Sequence, residues 1–465
     1  MNEKVKLTDE QIKARNPSYS FQDLLDLEEV EVPSALRDST ETYLGSEDLE
    51  IDRWTSQEFF QRETERMWTR TWQMACRESQ VLKPGDYFVY DIVNFSILIT
   101  RTESGELKAY HNSCLHRGRA LKRGSGQTEE LRCPYHGFAW SLSGEFKGAP
   151  CQWDFPHIDD AEFSLPEVHV DTWEGWVFIN MADEPQPFKK YMGVLPEHFQ
   201  RWDHKRRYIS MHVQKVIGAN WKAVLEAFIE SYHAIATHPQ IMSYQGIDNS
   251  QYDVWGDNVS RTITPSAVVN PSHEDQYTEQ DSVNTMLGTS ALVGDGDGDS
   301  DTSVKSRARD TIAKVNAEAF QPMHDQNLES HATKSELMDS TLYLLFPNFA
   351  PWAGFGPVLT YRHRPNGDDI NSCIMDIFFL TPYTDEEERP EDAPTTRLEI
   401  DEPFSKAADV MGAGLARIFD QDASNLPQVQ KGMRASKKGA VTLANYQEVR
   451  IRHFHQTLDK YLSAD

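Results

Sequence analysis

The chain has 465 residues, with 46 Lys plus Arg against 73 Asp plus Glu, a net charge of −27. The length exceeds one ordinary core, so two domains are expected, and the acidity excludes a nucleic-acid binder that relies on a basic footprint. No stretch approaches the roughly 18 apolar residues of a membrane span, and the N-terminus MNEKVKLTDEQ carries no apolar export segment, so a soluble cytoplasmic protein is expected. The cysteines (Cys76, Cys114, Cys133, Cys151, Cys373) are odd in number and widely spread, which favours metal ligation over a disulfide framework.

Residues 1–50 are polar and acidic, with a short helix at most around Asp23–Glu29, and they read as an arm lying along another part of the assembly. From Trp72, short β-type runs such as Tyr87–Tyr90 and Phe95–Thr100 alternate with turns at Pro84-Gly85-Asp86 and Glu103-Ser104-Gly105, predicting a small all-β domain over 51–183 that ends near Trp176–Asn180. Residues 184–465 have a mixed texture. Helical stretches at about 219–236 and 404–433 flank β-type runs at Thr341–Phe346 and Ile374–Leu380, predicting a larger α+β domain with an antiparallel sheet and flanking helices.

A polar insertion at about 270–335 interrupts the larger domain. Its alternation Gly294-Asp295-Gly296-Asp297-Gly298-Asp299 resembles a calcium loop but lacks the glycine at the sixth position and the closing glutamate. The expectation is a flexible surface loop that shapes or covers an entrance.

The segment 111–140 reads HNSCLHRGRALKRGSGQTEELRCPYHGFAW: Cys114-x-His116, sixteen intervening residues, then Cys133-x-x-His136. Each pair fits one tight loop, with Gly118 and Gly137 supplying permissive backbone. Two thiolates on one iron and two imidazoles on the other hold a Rieske-type [2Fe-2S] cluster. A structural zinc site is the competitor, but zinc knuckles pair Cys with Cys and His with His, and Cys-x-His is too short for one. With the aromatic run Tyr135, Phe138 and Trp140, this pattern resembles the Rieske non-haem iron oxygenases, specifically the large (alpha) oxygenase subunit of the aromatic-ring-hydroxylating dioxygenases.

The second half carries NWKAVLEAFIESYHAIATHP at 220–239. Val224, Leu225, Phe228 and Ile229 give a helical period that places Glu226, Glu230 and His233 on one face; His238 precedes Pro239, where the helix should end and let a second imidazole converge. Two histidines and one carboxylate make the facial triad of non-haem Fe(II) oxygenases. On residues alone, such a histidine pair is more often a structural feature of an amphipathic helix than a metal site.

The family resemblance extends here through Asn220-Trp221-Lys222, Glu226-x-Phe228, Glu230-x-Tyr232-His233 and His238-Pro239. The run Ile418–Asn425, continuing to Val429-Gln430-x-Gly432, resembles the family's acidic segment. By that match Asp422 is the third ligand, with Asp420 as the alternative.

The resemblance implies that Glu230, a glutamate where the family more often has aspartate, bridges a neighbouring subunit's Rieske histidine to an iron histidine. It implies a homotrimer or a multiple of one, a β-type subunit being undetermined, and electrons from a separate ferredoxin or NAD(P)H-dependent flavin reductase. No G-x-G-x-x-G strand-to-helix turn for a dinucleotide occurs in the chain. The expected activity is O2-dependent mono- or dihydroxylation of an aromatic or polycyclic apolar molecule, as in aromatic hydrocarbon catabolism. Glu230 also suits the branch that acts on quaternary amines or removes N- or O-methyl groups. A reading from another class, an electron-carrier iron-sulfur protein, explains the first constellation and leaves the second without a use. The aromatics Phe346, Phe349, Trp352 and Phe355 are expected mainly in the core.

Overall fold

A computed structural model describes residues 7–159, 162–289, 308–384 and 388–464. The chain divides into two compact units. One comprises Met1–Phe60, Met192–Arg364 and Ile370–Lys460; the other comprises Gln61–Tyr191, Pro365–Asp369 and Tyr461–Asp465.

The smaller unit is built on a seven-stranded antiparallel sheet in the order Gln73–Arg77, Trp176–Asn180, Glu167–Trp173, Leu107–His111, Phe95–Arg101, Asp86–Ile92, Ser125–Gln127. The turns read at 84–86 and 103–105 fall at its strand ends. A three-stranded sheet, Leu131–Arg132, Ala139–Trp140 and Phe146–Gly148, completes the unit. Between the sheets lies a core of Leu98, Tyr110, Leu131, Phe138, Trp140 and Leu165 that also takes in Cys114 and Cys133. The Trp140 indole N–H inside it donates to the Phe163 carbonyl at 2.9 Å, so burial of this large ring leaves no unsatisfied donor.

The larger unit is α+β. Its eight-stranded sheet runs Gln251–Trp255, Val259–Thr264, Ser340–Leu345, Phe349–Ala353, Val358–Asn366, Asp369–Pro382, Arg207–Ile217, Thr395–Leu398, and its last pair is parallel. Opposed residues share a face, so Thr262, Leu342 and Trp352 form one row across three strands through the pairs Thr262 with Leu342 and Leu342 with Trp352.

Three helical segments matter for the site: α1 (Trp221–Ala227), α2 (Ala234–Thr237) and α3 (Ala413–Ala435). The single helix expected over 219–236 is therefore two short ones. The Asn220 side chain caps α1 by accepting from the Lys222 N–H at 3.1 Å. The chain then tightens through Phe228 N–H to Leu225 O and Ile229 N–H to Glu226 O, which ends α1 and turns Phe228 against Tyr361 and Phe419.

The N-terminal arm carries helices Asp9–Lys13, Phe21–Leu25 and Ser34–Arg37. A capping box between Ser20 and Asp23 starts the second one, earlier than the run around Asp23–Glu29 suggested. Arg261, fully buried, fixes the arm: it pairs with Asp253 at 2.7 Å and donates to the carbonyls of Ala35 and Asp38. The described parts of the 270–335 insertion are helical rather than loop, including Glu279–Thr289 and Ala308–Phe320. Val283, Ala308 and Ile312 bury one face. The Gly-Asp run at 294–299 lies outside the described residues.

Candidate functional site

In the smaller unit, the four sequence-selected residues sit on two loops of matching design. Gly118 N–H bonds the Cys114 carbonyl at 2.8 Å, and Gly137 N–H bonds the Cys133 carbonyl at 3.0 Å. The two glycines adopt φ of +74° and +79°. At Gly137 a Cβ would meet Pro150 at 3.0 Å, so only glycine closes this loop without strain. Asn112 pins the far end of the first loop by accepting from the Leu121 and Lys122 N–H groups.

Cys114 and Cys133 are buried, and burial raises the Cys114 thiol pKa. The imidazoles of His116 and His136 lie with ring centroids 4.6 Å apart, His136 exposed and His116 half-buried. His116 Nδ1 is buried without a hydrogen-bond partner among the described residues, and burial together with His136 lowers its pKa. Two buried thiols and two adjacent imidazoles, one with an orphaned ring nitrogen, fit a [2Fe-2S] cluster ligated as Cys2His2.

In the larger unit, His233, His238 and Asp422 bring ligand atoms within 4.8 Å of one another. Asp422 Oδ1 lies 3.4 Å from His233 Nε2 and 2.9 Å from His238 Nε2. His233 follows the turn after α1. His238 ends α2 by leaving the helical region (φ −124°, ψ 58°), as the clash with a following proline ring favours. Asp422 comes from α3, where Leu415, Ile418, Phe419 and Asp422 follow the i, i+3, i+4, i+7 stripe.

Each imidazole is held from behind. His233 Nδ1–H donates to Glu230 Oε1 at 2.6 Å, and the other Glu230 oxygen accepts the His233 backbone N–H at 3.0 Å. His238 Nδ1–H donates to Gln421 Oε1 at 2.8 Å. With both Nδ1 atoms engaged, both Nε2 atoms face Asp422, the arrangement that presents imidazole to a metal. Burial opposes charge on His233, yet hydrogen bonds to Asp422 and Glu230 outweigh it and lift its pKa to about 10. Burial likewise raises the Asp422 carboxyl, and the two imidazoles more than reverse this, leaving it below the usual range. Such an electron-rich trio fits a divalent ion with open positions. Asp420, the other carboxylate considered, points elsewhere: it accepts from the Phe404 and Ser405 N–H groups at 2.6 and 3.1 Å.

A cavity of about 230 Å³ opens onto the trio. Its walls are Phe228, Ile241, Leu342, Trp352, Leu359, Tyr361, Leu415, Ile418 and Phe419, with Ser231, Thr262, Thr264 and Gln245 as polar points. Among the described residues its lining contains no lysine or arginine, and none of it comes from the 270–335 insertion. Of the four aromatics singled out in sequence, Trp352 lines the cavity, while Phe346 and Phe355 pack against Phe454 and His324.

Residues 197–464 match the family model of the ring hydroxylating alpha subunit (catalytic domain), and residues 71–159 match that of the Rieske [2Fe-2S] domain. The chain belongs to the ring hydroxylating alpha subunits. These matches bring with them a Rieske [2Fe-2S] cluster and a mononuclear iron as cofactors.

The chain is 28% identical over 189 residues to the glycine betaine monooxygenase oxygenase subunit of Pseudomonas aeruginosa (strain UCBPP-PA14), covering 40% of this chain and 43% of that one. It is 29% identical over 191 residues to the chlorobenzene dioxygenase subunit alpha of Cupriavidus sp. (strain PS12), covering 40% and 42%. The matched segments thus span less than half of these relatives. In fold it is similar to a quaternary ammonium Rieske monooxygenase in complex with L-carnitine (TM-score 0.61, 16% identity, 89% of this chain and 95% of that one). It is also similar to naphthalene 1,2-dioxygenase from Rhodococcus sp. bound to indole (TM-score 0.61, 18% identity, 90% and 95%).

Sequence reasoning missed the contact between Gln421 and Gln240, which meet across 181 positions. It also missed the buried contact in which Glu226 accepts from the Trp54 indole at 2.9 Å and bonds His455 at 2.8 Å. Only the place of Glu226 in the quoted motif hinted at the latter.

Proposed function

We propose that this chain is the terminal oxygenase component of a Rieske non-haem iron system, hydroxylating or dihydroxylating an apolar, aromatic substrate with O2 and electrons from a separate ferredoxin or reductase. The observation that carries this is the convergence of His233, His238 and Asp422 at an apolar cavity, each imidazole tethered through Nδ1. In this reading His233, His238 and Asp422 hold the iron, and Cys114, His116, Cys133 and His136 hold the cluster. When bound, the iron supplies O2 activation and the cluster supplies electrons.

The chain's own residues set the stage for that chemistry. Phe228, Trp352, Tyr361 and Phe419 take the faces of a planar substrate and exclude water. Glu230 orients His233 and offers a carboxylate through which a neighbouring subunit's cluster is coupled, so a head-to-tail trimer is the proposed assembly. Electron transfer between subunits is supported by the similar fold of a quaternary ammonium Rieske monooxygenase described in terms of inter-subunit electron transfer.

A second reading, demethylation or hydroxylation of an N-methyl or quaternary amine, is favoured by Glu230 itself. The aromatic walls Phe228, Trp352, Tyr361 and Phe419 offer ring faces that suit a cation. A zwitterion's carboxylate would find no basic partner in the lining.

The test is iron and acid-labile sulfide per chain in anaerobically purified protein. About three irons to two sulfides is expected. About two to two, unchanged by added Fe(II), refutes the oxygenase reading in favour of an electron carrier. A product screen for ring diols against formaldehyde then separates the two substrate classes.

A further inference from the structure

His238 and His233 are held by chemically different groups. Behind His233 stands a carboxylate; behind His238 stands an amide that is itself gripped. Gln421 Oε1 accepts from His238 Nδ1 at 2.8 Å and from Gln240 Nε2 at 2.6 Å, and Gln421 Nε2 donates back to Gln240 Oε1 at 3.3 Å. The reciprocal amide pair fixes which end of Gln421 faces the ring, because the Oε1 already serves two donors and the amide nitrogen is turned to Gln240. Gln421 is the neighbour of Asp422 on α3, and Gln240 lies two residues beyond His238, so the clamp joins the segments that bring these two residues together.

We propose that Gln421, locked by Gln240, is a positioning residue that holds His238 with Nε2 toward the metal and keeps this side of the centre uncharged. The inference rests on the proposed metal centre. Its consequence is an asymmetric charge balance. A divalent ion with the Asp422 and Glu230 carboxylates sums to zero, whereas a second acid at 421 would leave the centre negative. Neutral support makes His238 the weaker donor of the two imidazoles, since a carboxylate partner raises imidazole basicity more than an amide does.

The experiment titrates Co(II) into full-length protein freed of mononuclear metal, reading visible d–d absorption and the dissociation constant. The cluster's sulfide content serves as the control for folding. Gln421→Leu removes the acceptor and is expected to weaken Co(II) binding about 10- to 100-fold with a changed d–d spectrum. Gln240→Leu, which frees the amide to rotate, falls between the parent and Gln421→Leu. Gln421→Glu restores an acceptor and binds at least as tightly as the parent, at the same stoichiometry.

Parent-like affinity and spectrum in Gln421→Leu would overturn the inference, as would a loss in Gln421→Glu equal to that in Gln421→Leu. Failure of the underlying metal centre looks different: the parent would not bind one Co(II), or Asp422→Ala would bind it unchanged.

Discussion

Replacing Glu230 by glutamine separates metal binding from electron delivery, because the structure lets the two effects be sized independently. The carboxylate accepts twice from His233, at Nδ1 (2.6 Å) and at the backbone N–H (3.0 Å). Glutamine keeps one acceptor oxygen. With that oxygen on Nδ1, a charge-assisted bond becomes a neutral one and the backbone N–H loses its acceptor, together about 2 kcal/mol, or about thirtyfold in metal affinity. Excess Fe(II) therefore still fills the site. If the carboxylate couples the cluster to the iron, turnover in the iron-loaded variant falls by far more than that factor. The assay reduces the cluster with dithionite, admits O2 with substrate, and follows cluster reoxidation by visible absorbance alongside product. Parent-like reoxidation and turnover in fully loaded Glu230→Gln would refute the coupling role.

Asp420→Ala should retain its full complement of iron while losing about 1 kcal/mol of stability, since this carboxylate caps the N–H groups of Phe404 and Ser405; loss of iron would reopen its claim as the ligand. Asp253→Ala leaves the Arg261 guanidinium buried without its counter-ion, and about 3–5 kcal/mol of destabilisation is expected in urea unfolding. An unchanged midpoint would show that the arm's carbonyls suffice to hold the charge. Burial chiefly, with Glu230 and Glu226 adding repulsion, raises the Glu448 carboxyl from 4.5 to about 7. A raised acid favours folding below its unfolded pKa and loses that contribution as pH climbs through about 7, up to about 3 kcal/mol here. Glu448→Gln should therefore flatten the fall in unfolding midpoint between about pH 4.5 and 7, and an identical slope in both proteins would refute the assignment.

Much of the site is visible in sequence because ligation constrains residue type and spacing together. The Cys114/His116 and Cys133/His136 pairs could be read without the fold, since each loop closes on its own glycine within five residues. The break after α1 was harder to see. Val224, Leu225, Phe228 and Ile229 continue a helical period, whereas the chain tightens at Phe228, which packs on Tyr361 and Phe419 from distant segments. The pairing of Gln240 with Gln421 left no signal, because two glutamines far apart in the chain carry no local pattern. The insertion misled for a different reason: its sequence is polar overall, yet a few residues such as Val283 and Ile312 suffice to bury one face of its helices.

The family match favours Asp422 and keeps Asp420 as the alternative, and helix phase independently separates the two. At about 100° per residue, with Leu415 as origin, Ile418, Phe419 and Asp422 all fall within about 60° of it, while Asp420 lies about 140° away. The apolar residues of α3 therefore select the carboxylate: whichever acid shares the stripe of Leu415, Ile418 and Phe419 must face the cavity they line. The other is left to solvent or to a cap, and Asp420 caps. The hydrophobic stripe of a helix thus identifies the cavity-facing acid of the two.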